Sequence, residues 1–526
     1  MDLLSGKFLI ILFISLISYY VVPKKIQWII LLVSSLCFYC FTGSFNLLFI
    51  ILSAISTFFG SKIVSKLNDK FSNKKKEGLL TKDELNLYKL QIRTKKRIIL
   101  IIILLINFGI LGFFKYWNTI VLSINLDFLA LNKGKGLLLP LGISFYTFQS
   151  ISYFMDVYNK KINDEKNFFR YLLFLSFFPQ LIQGPINRYE KVGKELSEEH
   201  SLDFENIREG AIQFLFGAFK KYAIANSLYH LISLIFDSSY NNLPGSIIVY
   251  GILLYSAYQY ADFSGGIDMV LGVGKMFGIH MQPNFKQPYF SINLADFWRR
   301  WHISLGLWMK DYVFYPFVLT NFMQKITKKC GKFGKHFQRA IPAGISNILV
   351  FLIVGIWHGP EMHYVLWGLY NGLVIALSDL LKPAFSKLNE LLHINTKNFF
   401  FKVFQIIRTF IIVNIGWYFD RIYDVPKSFI FLKNTFTNFQ LKELKTGLNF
   451  IFADVSHLSE KLLISGFALV IIFISSIFAE RNGGLYVWYK KQNIVIRWSC
   501  LYLLLFVLIF SFSNPNGNVG FMYANY

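Results

Sequence analysis

Two histidines lie in apolar segments of the chain and are the first candidates for catalysis. His302 stands in WRRWHISL, and His358 ends the run LVFLIVGIW, directly before Gly359 and Pro360. An ionisable side chain in such a segment usually faces the protein interior or a water-filled cavity. Each histidine is therefore either a packed, hydrogen-bonded core residue or a general base that takes and returns a proton near neutral pH. The break at Gly359 and Pro360 favours catalysis for His358, because it interrupts the helix and leaves local room.

Charged residues close to His302 could bind a substrate. Arg299 and Arg300 precede it, and they could hold a phosphate group or anchor the chain at the membrane interface. Asp311 follows nine residues later, about two and a half helical turns away. It could orient a histidine, clamp a substrate or pair with a cation.

A metal site is not expected. The sequence has neither H-E-x-x-H nor H-x-x-x-H, and its histidines have no cysteine or carboxylate at ligand spacing. Cys37 and Cys40 form a C-x-x-C inside an apolar run, which is typical of small buried helix residues. Asp262 and Asp268 flank FSGG and are interpreted as structural, because glycines allow helices to approach closely.

The chain has a formal net charge of +24. Its basic residues are clustered in a way that indicates membrane topology and not a nucleic-acid partner. Twelve lysines and arginines fall between Lys62 and Arg97, and a second cluster lies between Lys325 and Arg339. Basic residues between apolar spans mark cytoplasmic loops. We therefore expect residues 62–97 to form a basic cytoplasmic loop, which could also attract anionic lipid or the phosphates of coenzyme A.

The composition predicts an all-α polytopic membrane protein. The chain of 526 residues is 54% hydrophobic and only 16% charged, and several apolar runs approach the roughly 20 residues that cross a bilayer. We expect 11 to 13 helices at membrane depth, within a single membrane domain over residues 1–526. Some of them should be re-entrant, because Pro140, Gly142, Pro179, Gly184 and Pro185 break helices.

Three aromatic residues, Phe521, Tyr523 and Tyr526, occupy the end of the sequence in GFMYANY. Three spans before the basic loop place the N-terminus outside. Lys490, Lys491 and Arg497 place the start of the last apolar run inside, so the tail, residues 513–526, is expected outside as well. From composition alone the three aromatics form an interfacial belt.

Several blocks in order resemble the membrane-bound O-acyltransferase family, in its bacterial polysaccharide O-acetylation branch. They are PLGISFYTFQSISYFMDVY, FFPQLIQGPINRY, DFSGGIDMVLGVGKMFG, WRRWHISLGLWMKDY and GIWHG. The resemblance implies helices ringed around a central tunnel, with a catalytic core over residues 140–372. It also implies that His358 is the general base and that His302 is the second family histidine.

Further roles follow from the same resemblance. Acetyl-coenzyme A is the implied donor, with no bound cofactor, and it approaches from the cytoplasm. The candidates for donor or substrate binding are Arg299, Arg300, Trp301 and Asp311. The tail resembles an F-x-Y-x-x-aromatic pattern implicated in acyl relay, which makes Tyr523 a candidate acyl acceptor, with Phe521 and Tyr526 completing the motif.

The function implied is movement of an acetyl group across the bacterial cytoplasmic membrane for O-acetylation of a cell-wall or exopolysaccharide. An extracytoplasmic acetyltransferase of the SGNH type is the expected partner for the last transfer. Two alternatives stay open: D-alanyl transfer to teichoic acid, and a proton-coupled transporter or flippase, which also uses intramembrane histidine and aspartate. The aromatic motif at the end of the same chain favours acetyl transfer.

Overall fold

A computed structural model describes residues 3–43, 45–124, 126, 131, 139–238, 242–482, 485–512, 520 and 521. In this part of the chain the regular structure comprises 23 α-helices, short 3-10 and π-helical pieces, and one isolated antiparallel bridge between Phe285 and Trp301. The prediction of an all-α protein is confirmed.

The chain forms two compact units, and the first contains the N-terminal helices. It takes in Met1–Phe214, Met269–Gln282 and the chain end from Phe521. Its helices are α1 (Gly6–Val21), α2 (Gln27–Thr42), α3 (Asn46–Glu77), α4 (Lys82–Ser123), α5 (Ile143–Tyr158), α6 (Phe168–Ser176), α7 (Gln180–Gln183) and most of α8 (Phe204–Phe219).

The second unit carries both candidate histidines. It takes in Leu215–Asp268 and Pro283–Gly520. Its helices are α9 (Ser227–Phe236), most of α10 (Gly245–Met276), α11 (Leu294–Arg300), α12 (Ile303–Met309), α13 (Tyr315–Val318), α14 (Asn321–Cys330), α15 (Lys335–His358), α16 (Met362–Leu380), α17 (Lys382–Leu391), α18 (Phe399–Arg421), α19 (Val425–Thr437), α20 (Lys442–Ile451), α21 (Leu458–Asn482), α22 (Leu485–Lys490) and α23 (Ile494–Phe512). The interpretation of residues 1–526 as one membrane domain stays a prediction.

Polar side chains link the apolar helices of the first unit. The hydroxyl of Ser53 on α3 donates to Oδ1 of Asn107 on α4 at 2.5 Å, and the Asn107 amide donates to Ser56 at 3.1 Å. Ser53 also lies 3.1 Å from Ser150 on α5. Between apolar helices, such hydrogen bonds help to determine which helices pack against each other.

The basic segment 62–97 differs from the loop that the sequence predicts. Helix α3 continues to Glu77, Gly78 follows with φ +67°, and α4 begins at Lys82. The side chain of Thr81 accepts from the backbone of Glu84, whose carboxylate accepts in return, a capping box that starts α4. Lysine and arginine are good helix formers, so the charge does not end the helices, and the segment is a helical hairpin. Its cytoplasmic side stays a prediction.

Seven helices in the described part are long and apolar enough to cross a membrane, or up to eight if the bent pair α16 and α17 forms one span. The seven lie in Lys24–Phe41, Asn46–Glu77, Lys82–Ser123, Lys335–His358, Phe399–Arg421, Leu458–Glu480 and Ile494–Ser511. The protein is a multi-pass membrane protein. The predicted helix breaks are also present, since α5 begins only after Gly142 and α7 has four residues between Pro179 and Gly184.

Candidate active site

His302 lies at a break between two short helices. Helix α11 ends at Arg300 and α12 begins at Ile303, and His302 between them adopts the left-handed conformation, with φ +50° and ψ +51°. A residue other than glycine in this region costs about 1–3 kcal/mol, and such residues concentrate at functional sites. The left-handed backbone at His302 therefore separates α11 from α12.

A short extended segment holds this break in place. Asn284 accepts from the Ile303 amide through its carbonyl at 3.1 Å, and its side-chain oxygen accepts from the Ser304 amide at 2.9 Å. The Lys286 amide donates to the carbonyl of Arg300 at 3.0 Å, beside the bridge between residues 285 and 301. The first amides of a helix have no partner within it, and Asn284 supplies one from a distant part of the chain.

The imidazole of His302 is buried among aromatic rings. The residue is 3% exposed, with the ring of Phe263 edge-on at 4.8 Å and that of Trp357 at 6.3 Å between centroids. His302 lies outside the candidate spans, and its burial lowers the pKa of the imidazole to about 3. It is therefore neutral at physiological pH and can accept a proton or a hydrogen bond.

The low pKa of His302 predicts a stability that falls in acid. Because an unfolded histidine has a pKa of about 6.5, the unfolded state binds a proton below that pH and the folded state does not. The unfolding free energy then falls by about 1.4 kcal/mol per pH unit down to the folded pKa, or by about 2 kcal/mol between pH 6.5 and pH 5. We expect the thermal unfolding midpoint to fall more between pH 7 and pH 5 in the wild type than in His302→Gln. An equal fall of the unfolding midpoint in the two proteins would contradict the low pKa of His302.

His358 is the last residue of α15 and lies in a second aromatic environment. Its ring is 4.8 Å from that of Trp357, 5.3 Å from that of Trp367 and 5.8 Å from that of Tyr364, the last in a stacked arrangement. The residue is 8% exposed. Since both imidazoles lie against the indole of Trp357, the structure brings the two predicted histidines into one aromatic cluster.

Close packing of α15 against α16 fixes the end of the first helix. At Gly355 a Cβ atom would collide with the backbone of Tyr364, and at Gly368 a Cβ would collide with the backbone of Phe351. Only glycine lets the two backbones approach in this way. The helix end that carries His358 is therefore held against the first turn of α16.

A tryptophan joins the two histidine segments. The indole of Trp298 on α11 donates to Oδ1 of Asn371 on α16 at 3.0 Å and meets the ring of Trp367 at 5.3 Å and 90°. Asn371 is itself held by its amide, which donates to the carbonyl of Trp367. The helix before His302 is thus attached to the helix after His358.

The residues predicted to bind the donor have different surroundings. Arg299 is exposed and lies 3.3 Å from Asp296, whereas Arg300 pairs with both Asp296 and Glu480. Because two carboxylates balance Arg300, Arg299 is the better candidate for a phosphate group.

The two remaining donor candidates, Trp301 and Asp311, also differ in their surroundings. Trp301 is 3% exposed and its ring stacks on that of Phe297 at 5.4 Å, so it packs in the core. Asp311 is half-buried in the π-helical turn Lys310–Phe314 that follows α12. Donor binding by these residues stays a prediction.

Two buried lysines were missed by the sequence interpretation. Lys221 pairs with Asp262 and Lys220 with Asp268, and the side chains of Lys221 and Asp262 are 0% exposed. The signal was present as two lysines in the apolar stretch FLFGAFKKYAIAN, since such charges need a partner of opposite sign. The two aspartates interpreted as structural are therefore members of ion pairs.

A third buried histidine lies five residues after His358. His363 is 0% exposed, and its Nδ1 donates to the carbonyl of Phe419 at 2.9 Å. A carbonyl only accepts, so the proton is on Nδ1 and Nε2 carries a lone pair. Among the described residues, Nε2 has no hydrogen-bond partner, which makes His363 a third buried base, in addition to the two predicted histidines.

Within the tail, residues 513–526, the structure describes Gly520 and Phe521. Phe521 is 2% exposed and the carbonyl of Gly520 accepts a hydrogen bond from Lys221, whereas Tyr523 and Tyr526 lie outside the described residues. In the part of the chain that the structure describes, no group of three or more histidine, cysteine or acidic side chains could hold a metal ion.

Comparison with known proteins identifies relatives of this chain. The chain is 35% identical over 321 residues to a probable alginate O-acetylase AlgI of Pseudomonas syringae, a match that covers 60% of this chain and 55% of that protein. It is 32% identical over 375 residues to a peptidoglycan O-acetyltransferase of Helicobacter pylori, with 66% of each chain covered. It is also 32% identical over 285 residues to a teichoic acid D-alanyltransferase of Bacillus subtilis, with 53% of this chain and 67% of that protein covered. The matched region thus spans between about half and two thirds of these relatives.

The family model for membrane-bound O-acyltransferases matches residues 161–419. The matched region contains His302, His358 and the helices that position them. Together with the identity to the Bacillus relative, the match leads to one conclusion: the chain belongs to the membrane-bound O-acyltransferase family.

Proposed function

We propose that this protein is an O-acyltransferase that moves an acetyl group from cytoplasmic acetyl-coenzyme A across the membrane for O-acetylation of an extracytoplasmic polysaccharide. The observation that carries the proposal is the placement of His302 and His358 against the single indole of Trp357. The site lies in the segment that matches the family model. Relatives named alginate O-acetylase and peptidoglycan O-acetyltransferase support acetyl as the group transferred.

The first transfer is a base-assisted attack on a thioester. The imidazole of His358 takes the proton from an acceptor hydroxyl, and the oxygen attacks the acetyl carbonyl. The carbon–sulfur bond then breaks, and the leaving thiolate of coenzyme A takes the proton back from the imidazolium. The aromatic rings around the site exclude water, which would otherwise compete for the acetyl group.

His302 assists this step as a neutral imidazole. Its low pKa keeps it uncharged, so it positions the donor or relays a proton without adding a positive charge beside His358. Acetyl-coenzyme A is a substrate here, and we propose no resident cofactor. Arg299 is the candidate for a donor phosphate, because it is exposed and, among the described residues, pairs with a single carboxylate, that of Asp296.

The acceptor in the first transfer is proposed to be the phenol of Tyr523. A phenyl ester is reactive, since phenol, with a pKa of about 10, is a better leaving group than a sugar hydroxyl. A separate extracytoplasmic acetyltransferase of the SGNH type would then transfer the acetyl group from the tail to the polysaccharide. Both the N-terminus and the tail lie outside the cytoplasmic membrane in this proposal, which the basic hairpin at 62–97 supports through its charge.

The direct test uses the purified full-length protein with acetyl-coenzyme A labelled in the acetyl group. We expect the label to appear on the protein, within a peptide that contains residues 520–526, and free coenzyme A to be released in equal amount. Label that never reaches the protein, together with no release of coenzyme A, would overturn the proposal. Palmitoyl-coenzyme A serves as a control donor, because its chain length tests whether the site selects acetyl.

A second candidate function is D-alanyl transfer to teichoic acid. It is favoured by one observation, the 32% identity to a teichoic acid D-alanyltransferase, 67% of which is covered. Chemical analysis of the cell wall from a deletion strain separates the two functions. Loss of acetyl esters supports the first proposal, and loss of esterified D-alanine supports the second.

A further inference from the structure

The buried ion pair of Lys221 and Asp262 lies in an unusual place. Lys221 belongs to the π-helical segment Lys220–Asn226, and Asp262 lies on α10, with 2.5 Å between Nζ and Oδ1 and 0% exposure of either side chain. The cost of burying both charges largely offsets their attraction, so such a pair contributes little net stability. Its presence therefore needs a reason other than stability.

Lys221 also binds the tail at Gly520. Its ammonium donates to the backbone carbonyl of Gly520 at 3.2 Å, across 299 residues of sequence. An ammonium has three donors, and the carboxylate of Asp262 holds it in one orientation. The next residue, Phe521, is 2% exposed. The tail is thus held at its backbone by a buried ammonium that is itself paired with Asp262.

The same stretch of α10 supports the candidate active site. Phe263 follows Asp262 and meets the ring of His302 edge-on at 4.8 Å. Consecutive Cα atoms are about 3.8 Å apart, so the residue that orients Lys221 and the residue that packs on His302 are neighbours on one helix. Two adjacent residues of α10 therefore connect the Gly520 anchor point with the histidine cluster, and Tyr523 follows Gly520 by three residues.

A neighbouring ion pair provides an internal comparison. Lys220 donates to Asp268 and, at 3.0 Å, to the hydroxyl of Ser264. It also lies over the rings of Phe216 and Tyr260. Lys220 and Lys221 thus pair with the same stretch of α10 but have different additional partners.

We propose that Lys221 and Asp262 form the anchor of the C-terminal tail at Gly520, and that acylation of Tyr523 depends on this anchor. The second half of the statement rests on the proposed function; the first half does not. Lys221 and Asp262 are positioning residues, because they act through the backbone of Gly520 and take no part in the chemistry.

A spin label at residue 520 tests the anchor. Gly520→Cys keeps the carbonyl, and an added Cβ meets no atom of the described residues within 4 Å; the four native cysteines, at 37, 40, 330 and 500, are first replaced by serine. In the full-length protein we expect a spectrum broadened by the ordered backbone at residue 520, which we call immobilised. Lys221→Met should convert most of the signal to a mobile spectrum, whereas the matched control Lys220→Met should leave it immobilised.

A second variant covers the case in which Lys221→Met does not fold because Asp262 is left buried and unpaired. Lys221→Met with Asp262→Asn removes both charges at nearly constant volume and should give the same mobile spectrum. A label that is already mobile in the parent protein overturns the anchor. So does a label that stays immobilised in both variants, or one that Lys220→Met releases to the same extent.

Acetyl labelling of the same proteins separates this inference from the proposed function. With both correct, Lys221→Met lowers acetyl incorporation at the tail at least tenfold while Lys220→Met retains it. A released tail with unchanged incorporation overturns the positioning role. An immobilised parent tail that Lys221→Met releases, but that never carries acetyl in the parent protein, leaves the anchor intact and overturns the proposed function.

Discussion

Replacing His358 with alanine should lower acetyl transfer by about 10²- to 10⁴-fold, the usual contribution of a general base. His358 ends α15 and is nearly buried, so its imidazole has a defined position from which to take the proton of an acceptor hydroxyl. The measurement is the initial rate of coenzyme A release by the purified protein. Membrane insertion and yield should match the wild type, because His358 is the last residue of α15 and alanine is a good helix former.

Two further variants sharpen the His358 experiment. His358→Gln keeps a hydrogen-bonding side chain of similar size but no base, so its rate should be as low as that of the alanine variant. His336 lies near the other end of the same helix, against the carbonyl of Leu380, and His336→Ala should retain activity. Full activity in His358→Ala would refute the catalytic assignment.

Removing the phenol of Tyr523 is expected to have the second large effect. Tyr523→Phe keeps an aromatic ring and removes the oxygen, so an interfacial belt would tolerate it and an acyl relay would not. We expect acetyl-protein to fall below detection and polysaccharide acetylation to fall by at least tenfold. Mass spectrometry of the tail peptide and ester analysis of the isolated polymer are the measurements.

Tyr502 provides the matched control for the tail. It is an exposed tyrosine on α23, so Tyr502→Phe makes the same chemical change on an apolar helix of the second unit and should leave acetylation unchanged. Normal acetylation in Tyr523→Phe would mean that the tail serves only as an anchor, and the relay would have to use another acceptor.

Local sequence was enough to predict the fold class and the main catalytic candidates. Long apolar runs predict helices because a bilayer has no water to satisfy backbone groups, and the helix breaks followed from proline and glycine. The two histidines were visible because an ionisable group in an apolar run is rare. The helical structure of Lys62–Arg97 was not predicted, because the sequence shows where the apolar run of a helix stops but not where its helical backbone stops. Helix α3 in fact continues to Glu77, and α4 begins at Lys82.

The sequence by itself determined that the protein is helical, lies in a membrane and carries His302 and His358 as candidates, because these properties depend on residues close together in the chain. Only the tertiary structure decided that both imidazoles meet at Trp357, that Asn284 holds the turn at His302, and that Lys221 connects Asp262 to Gly520. These contacts join residues far apart in sequence, and their partners are chosen by helix packing. The residues around an aspartate do not determine which distant lysine it contacts, because that contact depends on how all the helices of the unit pack together.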